Sequence, residues 1–312
     1  VRVAVTGSTG FVGGAVVRHL AARGDAVFAF GRRATHPFAC LSNVTYRQWD
    51  IAIAPLHDAP DVDAAVHCAG AVAAWGADET FYRANVTGTR HVMDSFPASR
   101  FVHLSSASVY DPCGDAEGLR EDAPYPQTYL NAYGRTKMLA ERVLLDAGRR
   151  CAILRPRAVY GPGDTTLLPR LLRAFRGGQL FAIGPGSNRL SITAIDNLLH
   201  AVDRALAYDG PGRVFNVADA APVTLDELLA ALLRAMGREP RLVHLPVGPV
   251  WGVAAALERV AALVGDAWEP PLTRYVAAQM SRTCTLDLSR SVAELGYHPA
   301  ATYRDVLPRL CL

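Results

Sequence analysis

Tyr133 and Lys137 are four residues apart in Tyr133-Gly134-Arg135-Thr136-Lys137. On a helix that spacing puts a phenol and an ammonium on one face. A free tyrosine titrates near 10, too high for an efficient base at neutral pH. A neighbouring cation favours the phenolate and lowers that value. Such a pair can pass a proton to a ketone oxygen or take one from an alcohol. The lysine can also hold ribose hydroxyls and so fix a nicotinamide ring. Tyr125 and Tyr129 lie nearby, but neither has a lysine four residues later. Alone, the match is a weak motif.

Hydroxyls precede the pair. Leu104-Ser105-Ser106-Ala107-Ser108-Val109-Tyr110 follows a strand-like run, which places three serines at a strand's carboxyl end. Ligands of open α/β sheets bind at that edge. A serine there can hydrogen-bond a substrate oxygen and stabilise developing charge. Spacing does not choose among the three.

Val3-Ala4-Val5-Thr6-Gly7-Ser8-Thr9-Gly10-Phe11-Val12-Gly13 reads as a strand, a glycine loop and the start of a helix. Gly7, Gly10 and Gly13 suit a tight turn, a close approach to pyrophosphate and tight helix–strand packing. The helix N-terminus offers free N–H groups to phosphate. An acidic residue ending the second strand would bind the ribose 2′-hydroxyl of NAD. Here Phe30-Gly31-Arg32-Arg33 stands instead. Arginine grips a 2′-phosphate through charge-assisted hydrogen bonds. The cofactor expected is NADP(H) in preference to NAD(H), with Arg32 the first contact and Arg33 the second.

These residues need a scaffold. Strands are expected at Val1–Thr6, Ala26–Phe30, Val44–Trp49, Ala64–Cys68, Arg100–Ser105 and Cys151–Arg155, with helices over Val12–Arg23, Glu79–Phe96 and Thr128–Ala147. That alternation predicts an α/β fold, a Rossmann-type doubly wound parallel sheet. After Pro162 helical patterns dominate: Leu167–Phe175, Asp196–Tyr208, Leu225–Met236, Val250–Leu263, Leu272–Met280 and Leu288–Leu295. Thr224 and Glu227 have capping-box spacing, and Gly237 is a plausible stop. A strand at Arg213–Ala218 is expected to rejoin the main sheet. The division expected is a cofactor-binding unit over 1–160 and a smaller, mostly helical substrate lobe over 161–312, interleaved with the sheet near 195–223.

The chain has 312 residues, 50% of them hydrophobic, enough for a substantial core. Its 32 basic and 29 acidic residues leave a net charge of +3 with no long run of one sign. No nucleic-acid surface is indicated. Cys40, Cys68, Cys113, Cys151, Cys284 and Cys311 form no CxxC pair, and the nine histidines no HExxH pattern, so no metal site is expected. The cysteines read as buried small hydrophobes in a reducing compartment. Val1–Thr6 already reads as strand, so no secretory leader is expected and the location expected is cytoplasmic. Leu245–Gly265 is apolar, but Pro246 and Pro249 interrupt its start and Glu258 and Arg259 sit inside it. A spanning helix needs about 20 mostly apolar residues. We read an amphipathic helix that covers a pocket or touches a partner, with peripheral membrane contact as the alternative.

Taken together, the sequence resembles an extended short-chain dehydrogenase/reductase. The resemblance rests on Thr6–Gly13, Asp50 after the third strand, His67-Cys68-Ala69-Gly70 after the fourth, and Asn85 in the following helix. It continues through Ser105–Tyr110, Tyr133 with Lys137, and Arg155-Pro156-Arg157-Ala158-Val159-Tyr160-Gly161-Pro162-Gly163-Asp164, and covers the chain to about residue 200. It implies that Ser106, four positions before Tyr110, is the catalytic serine beside Tyr133 and Lys137. It implies a cofactor site of Gly7, Thr9, Gly10, Phe11, Val12 and Gly13, then Arg32, Arg33, Asp50, Ile51, Cys68, Ala69, Gly70, Asn85 and Ser105, then Pro156, Arg157 and Ala158. Asp50 would meet the adenine, Asn85 would support the active-site helix, and Pro156 would sit by the nicotinamide. Ser106, Ala107 and Val159 would meet substrate. A homodimer is implied by the same resemblance.

The second half is most similar to the 3β-hydroxysteroid dehydrogenase-like branch. The matching stretches are Gly184-Pro185-Gly186-Ser187-Asn188, Ile195-Asp196-Asn197, the apolar helix after Leu245-Pro246, and Asp287-Leu288-Ser289-Arg290 with Glu294-Leu295-Gly296-Tyr297-His298-Pro299. This implies interconversion of a ketone and a secondary alcohol on an apolar, sterol-like or other bulky small molecule, with NADPH-driven reduction favoured by Arg32 and Arg33. One rival is a nucleotide-sugar epimerase, dehydratase or reductase, for which Arg189 would contact the diphosphate. Against it, Ala107 and Ser108 stand where a dehydratase carries its acids, and the Val250–Leu263 helix suits an apolar substrate. A second rival is a non-catalytic NADP(H)-binding regulator, which has no need of Ser106, Tyr133 and Lys137.

Overall fold

The computed structural model describes residues 1–97, 100–166, 171, 174–265 and 268–310. Seven strands form one parallel sheet: β1 (Arg2–Thr6), β2 (Ala26–Gly31), β3 (Val44–Gln48), β4 (Ala64–His67), β5 (Arg100–Leu104), β6 (Cys151–Pro156) and β7 (Arg213–Val217). Their spatial order is β7-β6-β5-β4-β1-β2-β3, every neighbouring pair parallel. The order reverses beside β1, which opens a crevice at the carboxyl ends of β1 and β4, the place where such sheets bind ligands. The central strands are apolar on both sides because helices cover both faces. β4 and β6 are buried throughout.

On one face lie α1 (Phe11–Ala22) and α5 (Ile195–Leu206). Val16, Val17 and Leu20 of α1 meet Leu198, Ala201 and Val202 of α5 over Val5, Leu154 and Phe215. Apolar residues at i, i+1 and i+4 make this buried stripe. On the other face, Phe30, Trp49, Val92, Phe96, Phe101, Leu144 and Ile153 form a second core. It is covered by α4 (Ala132–Asp146) and by a helical run made of α2 (Asp78–Tyr82), a π turn (Arg83–Thr87) and α3 (Gly88–Ser95). The sequence reads that run as one helix over Glu79–Phe96. The π turn within it carries Asn85, and such bulges gather at functional sites. The helix expected from Thr128 starts only at Ala132, after Asn131 caps it by accepting from Gly134 N at 3.1 Å.

The second half contains the expected helices and also strands that the apolar pattern conceals. α6 (Leu225–Ala235) starts on the anticipated capping box: Glu227 N donates to Thr224 Oγ1 at 3.2 Å, and Thr224 N to Glu227 Oε2 at 3.0 Å. α7 (Val247–Val264) and α8 (Arg274–Ser281) follow. A three-stranded sheet joins Leu242–Leu245, Gln179–Ile183 and Phe175–Arg176. A four-stranded one joins Val223–Thr224, Arg189–Leu190, Cys284–Leu286 and Ala116–Leu119. These strands have two to five residues, too short for a period-two signal. The helix expected over Leu167–Phe175 lies mostly outside the described residues, and its last residue, Phe175, is in a strand. The one expected over Leu288–Leu295 ends as a π turn, Ser291–Leu295.

α7 is long and apolar enough, by length and composition, to cross a membrane. Only Ala254, Glu258 and Ala261 are buried. Glu258 faces α8, accepting from Arg274 N at 2.7 Å and Nε at 2.6 Å. Val253, Val260, Leu263 and Val264 point outward. The cysteines also depart from expectation. Cys151 is buried, but Cys40 and Cys113 are exposed, because they fall in turns between elements and not on core faces.

Candidate active site

The carboxyl ends of the central strands meet over one cleft of about 1060 Å³. That is at the upper end of ligand pockets, which run about 300–1,000 Å³. At its floor, Gly10 N donates to Gly7 O at 3.0 Å and closes the turn between β1 and α1. A Cβ on Gly13 would lie 2.2 Å from Gly7 O, so α1 can approach the turn this closely only with glycine there. Gly10, the cap of α1, has no side chain to satisfy the first-turn N–H groups, and Gly7, Thr9, Gly10, Phe11, Val12 and Gly13 all line the cleft. Unsatisfied N–H groups at a helix start attract phosphate. The glycine cradle therefore fits a dinucleotide pyrophosphate.

Arg32 and Arg33 are exposed and line the same cleft. Side chains of β3 hold their backbone. Gln48 Nε2 donates to Arg32 O at 2.8 Å, and the Tyr46 hydroxyl donates to the carbonyls of Gly31 and Arg33. Asp50 and Ile51 line the adjoining wall, where Asp50 Oδ1 accepts from Ala52 N at 3.0 Å. Cys68, Ala69 and Gly70 follow from β4. Burial pushes the Cys68 thiol up to about 12, so it stays protonated and is no nucleophile.

Tyr133 and Lys137 stand on the first two turns of α4 and both line the cleft. Lys137 is buried, and its Nζ donates to Leu104 O at 2.7 Å. Loss of water pulls its pKa down to about 8, against the opposing pull of the Glu141 carboxylate. The two nearest buried imidazoles, His67 and His103, are held neutral mainly by burial and then by the Lys137 cation. A Cβ on Gly134 would lie 2.3 Å from Ser108 O, so the start of α4 presses directly on the serine turn.

The structure separates the three serines. Ser105 donates its hydroxyl inward to Glu141 Oε1, so what it lends to the cleft wall is not that hydroxyl. Ser106 Oγ accepts from Ser108 N at 3.1 Å and donates to Ser108 Oγ at 3.0 Å. Ser108 Oγ lies 2.7 Å from the Tyr275 hydroxyl, across the cleft on α8. Ser106, Ala107 and Ser108 line the cleft with Pro156, Arg157, Ala158 and Val159. Beyond them the wall is mostly apolar: Leu190, Ile192, Leu225, Leu228, Val276 and Met280. The arrangement can hold a dinucleotide along the sheet edge, with a proton-carrying phenol and hydroxyls facing an apolar chamber.

The family model for NAD dependent epimerases/dehydratases matches residues 3–218. The chain belongs to the NAD dependent epimerase/dehydratase family. Among its relatives is the 2-alkyl-3-oxoalkanoate reductase of Stenotrophomonas maltophilia (strain K279a), 33% identical over 99% of this chain and 98% of that protein. Another is the decarboxylating sterol-4-alpha-carboxylate 3-dehydrogenase of Homo sapiens, 28% identical over 99% of this chain and 87% of that one. Among solved structures, MoeE5 in complex with UDP-glucose and NAD superposes with a TM-score of 0.76 at 25% identity, covering 98% and 96% of the two chains. As a family member with reductases and dehydrogenases among its full-length relatives, the protein is an NAD(P)-dependent oxidoreductase of the extended short-chain type.

In this oxidoreductase the structure sets Asn85, helix α7 and Arg189 apart from the cleft wall. Asn85 is not in the cleft wall. It lies behind it, accepting from Ala71 N at 2.8 Å and donating to Thr136 Oγ1 at 2.9 Å, and so ties the β4 loop to α4 between Tyr133 and Lys137. Its amide thus joins two elements, in keeping with the support expected of it for the active-site helix. Helix α7 does not cover the pocket; among the described residues it contributes nothing to the cleft wall, and α8 supplies Tyr275, Val276, Gln279 and Met280 instead. Arg189 is also outside the cleft wall, half exposed and paired with Glu117 at 3.3 Å.

Sequence reasoning missed the support beneath the site. Arg155 and Glu141 are fully buried, with Nε to Oε1 at 2.9 Å and Nη2 to Oε2 at 2.6 Å. Burial opposes the Arg155 charge, but the carboxylate outweighs it and raises the arginine's pKa. Tyr110 and Tyr125 hydroxyls accept from the same guanidinium at 2.8 and 2.9 Å. The network clamps α4 to β6 one turn below Lys137. A signal existed: an arginine in the otherwise apolar strand Cys151–Pro156 demands a buried partner. Tyr275 and Gln279 gave none, because helix α8 has no motif.

Proposed function

We propose that the protein reduces a ketone on an apolar substrate to the secondary alcohol, with NADPH as hydride donor and Tyr133 as proton donor. The observation that carries this reading is the shared opening of Tyr133, Lys137 and the Ser106 turn onto one cleft with an apolar far wall. When bound, the nicotinamide supplies the hydride. Lys137 keeps its charge at neutral pH and favours the phenolate that remains after Tyr133 gives up its proton. Ser106, and Ser108 bonded to it, offer hydroxyls to the carbonyl oxygen as it gains charge. Arg32, then Arg33, would bind the 2′-phosphate. The oxoalkanoate and sterol substrates in the names of full-length relatives agree with an apolar chamber. The nucleotide-sugar alternative loses its expected diphosphate contact, since Arg189 is spent on Glu117 at the surface.

NADPH consumption with a panel of apolar ketones beside nucleotide sugars tests the reading. Turnover of the ketones alone is expected; turnover of the sugars alone would overturn it. In the same assay Arg32→Ser should weaken NADPH binding roughly 10- to 100-fold, the worth of a charge-assisted contact, and leave NADH within a few-fold. An equal loss for both cofactors would remove Arg32 from the 2′-phosphate.

A further inference from the structure

Arg157 directly follows Pro156 and has no part in the steps above. It is 6% exposed and lines the cleft. Its Nη1 donates to Ser191 O at 2.9 Å and its Nη2 to Gln279 Oε1 at 3.1 Å, both neutral acceptors. Among the described residues it has no ion pair, whereas the other deeply buried arginine, Arg155, is matched by Glu141. A guanidinium has five N–H donors, and these two bonds leave about three. A buried cation without a counter-charge is costly, and folds keep one where a ligand supplies the missing charge. From Pro156 onward, Arg157 is also the only charged cleft-lining residue among those described.

The backbone supports the same assignment. Ala158 has φ 48, the sole left-handed non-glycine residue among those described. Strain of this kind persists where surrounding structure enforces it, and it clusters at ligand sites. Here Thr193 enforces it: its Oγ1 accepts from Arg157 N at 3.1 Å and donates to Arg157 O at 2.8 Å. Arg157 is thus pinned just past the carboxyl end of β6 and faces α8 through Gln279.

We propose that Arg157 anchors a carboxylate on the substrate, so that the protein acts on an apolar oxo acid whose carboxylate lies within a few bonds of the reacting carbon. This rests on the ketoreductase reading. The remainder of such a substrate meets only neutral, mostly apolar wall among the described residues, from Ile192, Leu225, Leu228, Val276 and Met280. Arg157 sets specificity and takes no proton.

The test runs in the oxidation direction, with NADP⁺ and matched pairs of 2-alkyl-3-hydroxy acids and their methyl esters. Wild type should favour the acid in kcat/KM roughly 10- to 100-fold. Arg157→Met should bring that ratio to about 1, and Arg157→Lys should keep part of it, because the ammonium retains charge but loses the fork. Circular dichroism and thermal melting report the folded fraction of each variant. A wild-type ratio near 1, or a ratio that Arg157→Met leaves unchanged, overturns the proposal, and the wild-type ratio decides even if the variants fail to fold. Calorimetry of decanoate and methyl decanoate on the protein–NADP⁺ complex separates the two readings. Decanoate binding that Arg157→Met abolishes, with no alcohol oxidised, sustains the anchor and removes the ketoreductase. Oxidation of neutral alcohols with no preference for carboxylate does the reverse. Tight binding of UDP in place of decanoate overturns the anchor in favour of a nucleotide diphosphate.

Discussion

Lys137 carries its charge in a place that resists charge. Burial lowers its pKa from 10.5 to about 8, so the ammonium persists at neutral pH and is lost above about 8. Both tasks given to it, favouring the Tyr133 phenolate and holding the cofactor ribose, need the protonated form. kcat/KM for NADPH reports the free enzyme. It is expected to be level up to about pH 8 and to fall beyond it; a profile level to pH 10 would show that the Lys137 charge is not used. The Tyr133–Lys137 pair, the glycine loop and the arginines were legible in the sequence because each is a local pattern of residue types. Asn85 was legible as a position but not as a contact, since its amide bonds reach Ala71 and Thr136, far apart in the chain.

At the scale of elements, the site is a matter of how closely α4 approaches the turn after β5. Gly134 allows the contact, with no side chain between the helix and Ser108 O. Gly134→Ala would set a Cβ 2.3 Å from that oxygen and 3.0 Å from the Tyr129 ring. Overpacking of this sort costs about 1–3 kcal/mol. It would also move Tyr133 off the serines, and about 1 Å of misplacement can cost on the order of 100-fold in rate. A loss of kcat larger than the loss of stability is expected, read by kinetics beside thermal melting. Unchanged kcat would show that the approach is not needed. Six strands of the sheet were readable as short, mostly apolar runs between turn signals, and the edge strand β3 as an alternation of half-buried Val44 and Tyr46 with exposed Thr45 and Arg47. The small sheets outside the main one were not. Their pairings, such as Leu190 with Cys284 and Cys284 with Ala116, are made between distant segments and leave no periodic trace. Helix α7 was readable as apolar, but it is not amphipathic as expected: Val253, Val260, Leu263 and Val264 point outward while Glu258 turns inward to Arg274.

Over the whole molecule, the cleft joins the sheet edge to the second half, so a bound dinucleotide should stabilise both. At about 100 times Kd a ligand adds about 2.7 kcal/mol. For a chain of 312 residues that corresponds to a rise in Tm of roughly 4 °C. At equal concentrations NADPH should raise Tm more than NADH; an equal or reversed shift would contradict the role given to Arg32. The central claim is that one phenol moves the proton. Ketone reduction by the wild type beside Tyr133→Phe, with NADPH binding measured on both, tests it most directly. The account predicts that kcat/KM falls on the order of 1,000-fold while NADPH binds about as before. Near-full activity without the Tyr133 hydroxyl would contradict it.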